Sequence, residues 1–84
     1  MALKFGTDVS TARTDYGTVL LDERAGAYWE LNPTATLVVG TLMAGGDEAD
    51  AAAALTSAFD VDPVRAARDV ETLVRELRAS GLAE

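Results

Sequence analysis

Neither cysteine nor histidine occurs in the sequence. Their absence removes disulfides, thiolate nucleophiles, Cys/His zinc sites and imidazole acid–base chemistry together. Lys4 is the only lysine. The remaining reactive groups are carboxylates and hydroxyls, and a Ser or Thr nucleophile needs an activating base. None stands in a recognisable arrangement, and a chain this short builds no deep substrate pocket of its own. Asp60 and Asp62 flank a turn, but a calcium loop needs more ligands at fixed spacing. No enzymatic activity, metal or cofactor is expected.

Positive charge is also scarce. Seven Lys and Arg residues stand against 14 Asp and Glu, a net charge of -7. Nucleic acids and anionic membranes are both bound largely through cations, so neither is an expected partner. No run approaches the ~18 apolar residues of a membrane span. Met1 to Gly6 lacks an apolar signal-peptide core. A cytoplasmic location is the simplest expectation.

What is present suits a folded chain. Of the 84 residues, 49% are hydrophobic and 25% charged, which is ordinary globular composition rather than disorder. The length fits one domain, residues 1–84.

The hydrophobic period changes near Asn32-Pro33. Before it, the spacing predicts a weak strand over Asp8 to Thr14, a turn at Asp15-Tyr16-Gly17, a strand over Gly17 to Asp22 and a third over Ala27 to Leu31. Alternation puts Ala27, Trp29 and Leu31 on one face and Tyr28 and Glu30 on the other. Short connections predict an antiparallel meander.

After Asn32, caps and prolines mark three helices. Asn32-Pro33 opens one running to about Ala44, with Leu37, Val38 and Leu42 on one side. Asp47 caps an alanine-rich helix over Ala49 to Phe59, and its acidic first turn suits the helix dipole. Asp62-Pro63 opens the last, running to about Ser80. Its apolar residues Ala66, Ala67, Val70, Leu73, Val74 and Leu77 fill one arc about 120° wide. The predicted class is α+β, in the order βββααα.

Several features together carry a family resemblance. The hairpin VLLDERAGAYWELN (Val19 to Asn32) ends in a Leu-Asn pair, and Pro33-Thr34-Ala35 opens a helix directly after it. A Gly-Gly-Asp break precedes an alanine-rich helix and Phe59. Asp69-Val70 lies inside the final helix, before Leu73, Leu77 and a closing Gly81-Leu82. In this order Val19 to Leu82 resembles the PqqD-like RiPP recognition elements, and most of all their stand-alone lasso-peptide form.

The resemblance implies a winged-helix-like fold that binds the leader of a ribosomally made precursor peptide and presents it to a maturation enzyme, here a leader peptidase. In the family the leader lies between the third strand and third helix. Carried over, this implies contacts from Ala27, Tyr28, Trp29 and Glu30 on the strand. On the helix it implies the stripe Val64, Ala67, Arg68, Glu71 and Arg75. Val64 and Ala67 would floor an apolar pocket, Arg68 and Arg75 meet leader carboxylates, and Glu71 a leader cation. The opposite flank, with Arg65, Asp69, Thr72 and Glu76, is expected to lie away from the leader. Asp69 belongs to the family's Asp-Val pair and stays a further candidate.

Plainer readings stand beside these. Trp29 shares a face with Leu31, so it serves as core, as contact or as both. Glu71 and Arg75 are four apart and can be a surface helix pair worth ~0.3–0.5 kcal/mol. Two other functions fit the same outline. One is a non-catalytic adaptor docking a folded partner protein. The other is a winged-helix DNA-binding protein, whose recognition helix would need a basic face. The last helix does carry Arg65, Arg68, Arg75 and Arg78, but Asp69, Glu71 and Glu76 interleave with them.

Overall fold

A computed structural model describes residues 3–84. Strands β1 (Val9–Thr14), β2 (Gly17–Asp22) and β3 (Ala27–Leu31) precede helices α1 (Pro33–Met43), α2 (Glu48–Ala58) and α3 (Pro63–Ala79). The sheet is antiparallel with strand order β1-β2-β3. Order and type follow the sequence reading, and the boundaries differ by about a residue.

Both hairpin turns have local chemical causes. Asp15 and Tyr16 alone separate the paired Thr14 and Gly17. Gly17 has φ 152°, and a Cβ there would overlap the carbonyl oxygen of Leu31. Only glycine lets β2 start this close to the end of β3. Gly17→Ala is therefore expected to cost about 1–3 kcal/mol, lowering Tm by at least about 5 °C in a domain of this size. A thermal melt followed by circular dichroism checks this, and an unchanged Tm would refute the close-approach account. In the second turn, Asp22 Oδ1 accepts from the amides of Arg24 and Ala25 at 3.1 and 3.2 Å. Gly26, at φ 68°, donates its N–H to the Asp22 carbonyl at 2.9 Å.

The helices start where a side-chain oxygen meets free amides. Asn32 Oδ1 accepts from the Ala35 amide at 2.8 Å, with Pro33 following in the first turn. Asp47 and Asp50 form a reciprocal capping box, and the Asp50 amide holds the Asp47 carboxyl below its ordinary value. Asp62 Oδ1 accepts from the amides of Val64 and Arg65.

One sheet face and three helix faces meet in a single core. Leu20 and Leu31 from the sheet lie with Val38, Val39 and Leu42 of α1, Ala51 and Leu55 of α2, and Ala66, Val70, Val74 and Leu77 of α3. α1 rests on β2 and β3, and α2 joins α1 to α3. Two details differ from the periodicity. In α1 the buried side includes Val39, while Leu37 is only half-buried. In α3, Ala67 is exposed and Leu73 half-buried, because Ala67 sits at a margin of the arc that no element covers.

The sequence reading did not foresee how the chain ends meet. Phe5 bridges Ala83, Lys4 and Glu84 exchange two backbone hydrogen bonds at 3.2 and 2.7 Å, and the Gly6 amide donates to the Leu82 carbonyl at 3.1 Å. Leu3, Leu82 and Ala83 are buried as a result. Their segments are too short to carry a readable period. Among the described residues, no helix is long and apolar enough to cross a membrane.

Candidate functional site

The register shows which backbone groups of the sheet are free. Beyond the Ser10↔Leu21, Ala12↔Val19 and Thr14↔Gly17 pairs, the Glu23 amide donates to the Asp8 carbonyl at 3.1 Å. A two-residue turn closes on a hydrogen-bonded pair, and successive residues of an antiparallel strand address opposite edges. The odd-numbered residues of β2 therefore bond to β1. Thr18, Leu20 and Asp22 bond to β3, where their partners are Leu31, Trp29 and Ala27. The N–H and C=O groups of Tyr28 and Glu30 consequently point off the open edge of the sheet. Among the described residues, none outside the sheet bonds to them.

A groove of about 480 Å³ adjoins the end of this strand. One wall is Asn32, Thr34 and Ala35, which follow β3 into α1. The other is the α3 flank carrying Arg65, Asp69, Thr72, Leu73 and Glu76. Val38, Leu55 and Val61 complete the lining, so an apolar floor lies between polar rims. Arg65 Nε approaches Asp69 Oδ2 at 3.8 Å, one turn away on the same helix. Both side chains are exposed, so the pair adds little stability. A larger hollow of about 900 Å³ lies along α1, between the β1–β2 turn and α2, and no β3 or α3 residue lines it.

The strand candidates all border the open edge. Ala27, Tyr28 and Glu30 are exposed. Trp29 is half-buried, packs against the core and stands opposite Leu20. On α3 the candidates fall on two flanks. Glu71 and Arg75 line a different hollow, with Glu48 of α2, Val74 and Arg78. Their side chains bond to each other at 2.9 Å. Val64, Ala67 and Arg68 are exposed on that same side. None of these five residues lines the groove at Asn32, Thr34 and Ala35. The helical period defines the centre of the buried arc, but its two flanks are equivalent until α2 sets which one turns toward the segment after β3.

Asp69, which the period had placed off the groove, lines it, as do Arg65, Thr72, Leu73, Glu76, Asn32, Thr34 and Ala35. One signal pointed to this flank: the Asp69-Val70 pair, whose aspartate belongs to it. Among the described residues, no group of three or more Asp or Glu side chains could hold a metal ion.

Three antiparallel strands followed by three helices, with an open strand edge beside an apolar groove, define a winged-helix-like α+β architecture able to take an extended chain as a further strand. Residues 17–83 match the family model described as coenzyme PQQ synthesis protein D (PqqD), and the chain belongs to that family. Two solved structures are similar over nearly all of it. One, a lasso peptide synthetase B1 complexed with the leader peptide, is 44% identical with a TM-score of 0.92, covering 100% of this chain and 99% of the other. The second, TbiB1 in complex with the TbiA(beta) leader peptide, is 26% identical with a TM-score of 0.88, covering 96% and 94%. Among curated proteins, none matches the chain.

Proposed function

We propose that this protein binds the leader region of a ribosomally made precursor peptide of the lasso class. The leader adds as a fourth strand along β3 and sends alternate side chains into the groove bounded by Arg65, Asp69, Thr72, Leu73 and Glu76. The protein performs no chemistry itself and presents the bound leader to a maturation enzyme, a leader peptidase.

The observation that carries this reading is the open edge at Tyr28 and Glu30 beside an apolar groove. The 44%-identical relative, solved with a leader peptide, supports it. Two N–H and two C=O groups supply affinity with little demand on sequence, each hydrogen bond adding about 0.5–1.5 kcal/mol. The groove then selects side chains. Holding a peptide asks for no thiol or imidazole chemistry, and the chain has neither cysteine nor histidine.

Titration with the leader peptide of the 44%-identical relative tests the reading. Trp29, half-buried on β3, is the intrinsic reporter. Saturable one-to-one binding in the micromolar range or tighter is expected, lost when the leader is scrambled. A folded protein whose Trp29 fluorescence and binding heat stay unchanged would refute it.

A further inference from the structure

Four charged side chains border the open edge and groove: Glu30 from β3, and Arg65, Asp69 and Glu76 from α3. Arg65 and Asp69 offset each other. Glu30 and Glu76 have no ionic partner among the described residues. A docked strand therefore lies beside two uncompensated carboxylates, on a chain whose net charge is -7. That field favours cations and repels anions.

The register decides which peptide residue meets which carboxylate. Tyr28 and Glu30 turn their backbone groups to the open edge, and their side chains rise from the outer sheet face beside their β2 partners Leu21 and Val19. A strand added there places one side chain directly opposite Glu30 and another opposite Tyr28, two residues apart on one face. Facing Cβ atoms in such pairs lie ~4.5–5.5 Å apart, where opposite charges attract and like charges repel. Tyr28 and Leu21 are both exposed, at 61% and 36%, so the outer face beside the second position is apolar. The residue between the two points inward with Trp29, toward the groove side.

We propose that the peptide this edge accepts carries a Lys or Arg opposite Glu30, an apolar or aromatic residue opposite Tyr28 two positions away, and an apolar residue between them. Glu76 favours a second cation where the peptide passes the helix rim. The inference rests on the leader-binding reading and narrows it to a class of sequence.

The test scans the leader of the 44%-identical relative, placing Lys or Glu at each position in turn, with affinities read by calorimetry in about 50 mM salt, where screening is weak. At one position, Lys is expected to bind the parent protein about fivefold tighter than Glu. Glu30→Lys should invert that order at that position alone, Glu30→Gln should abolish it, and about 500 mM salt should flatten it. Equal Tm values for parent and variants show that the exposed substitutions leave the fold intact. If the parent binds the leader but no position shows a preference inverted by Glu30→Lys, the basic-residue inference is overturned and leader binding stands. If the parent binds no peptide in the scan, both fall.

Discussion

Tyr28→Pro is expected to fold and to lose the leader almost entirely. The Tyr28 amide points to the open edge, so a proline there removes no bond to β2. It deletes an edge donor and sets a ring where the added strand must lie. One lost hydrogen bond, with its acceptor left unpaired, costs about 1–3 kcal/mol, and the ring adds a clash, so Kd should rise at least tenfold. The matching control is Thr11→Pro. Its residue faces the outer edge of β1 by the same alternation, because Ser10, Ala12 and Thr14 are the β1 residues bonded to β2. Affinity there should stay within about twofold of the parent. Calorimetric titration of both variants, each with its Tm measured, decides the matter. Loss of binding in Thr11→Pro with retention in Tyr28→Pro would move the leader to the other edge of the sheet.

The second large effect separates the two flanks of α3. Thr72→Arg projects a long side chain into the groove beside β3, and Ala67→Arg projects the same side chain from the opposite flank. Both positions are exposed, and arginine favours a helix over threonine, with little loss against alanine, so neither variant threatens folding. Thr72→Arg is expected to weaken leader binding about tenfold or more by occupying the peptide's space, while Ala67→Arg leaves it within about twofold. The reverse pattern would restore the stripe of Val64, Ala67, Arg68, Glu71 and Arg75 as the contact surface. Because each variant adds one arginine, their common net charge removes long-range electrostatics as an explanation for a difference.

The strands, the helices and their caps were legible because each has a local cause. Asn32, Asp47 and Asp62 announce helix starts through short-range hydrogen bonds to amides two or three residues ahead. Gly17 and Gly26 announce turns through backbone freedom, and Ala27 to Leu31 alternates as a half-buried strand must. The open edge of β3 follows from the predicted meander: consecutive strands joined by short turns leave the third with only one neighbour. The residues following Asn32 into α1 were missed as groove walls, because a helix start reads from sequence as a cap and nothing more. The terminal pairing of Lys4 to Gly6 with Leu82 to Glu84 joins segments nearly the whole chain apart, and no local pattern marks it.

The amino-acid sequence by itself determined the order βββααα, the buried arc of α3, the lack of thiol and imidazole chemistry, and a family membership spread over the hairpin, the caps and the Asp69-Val70 pair. Only the tertiary structure decided which flank of α3 faces the segment after β3. A helical period is symmetric about the centre of its apolar arc, so Asp69 and Glu71 are equivalent on a wheel. That symmetry is broken when α2 packs against both α1 and α3, turning Asp69 toward Asn32 and Ala35 and Glu71 toward Glu48. Local hydrogen bonds and periodic burial are written along the chain, whereas the choice between two equivalent flanks depends on how three helices meet.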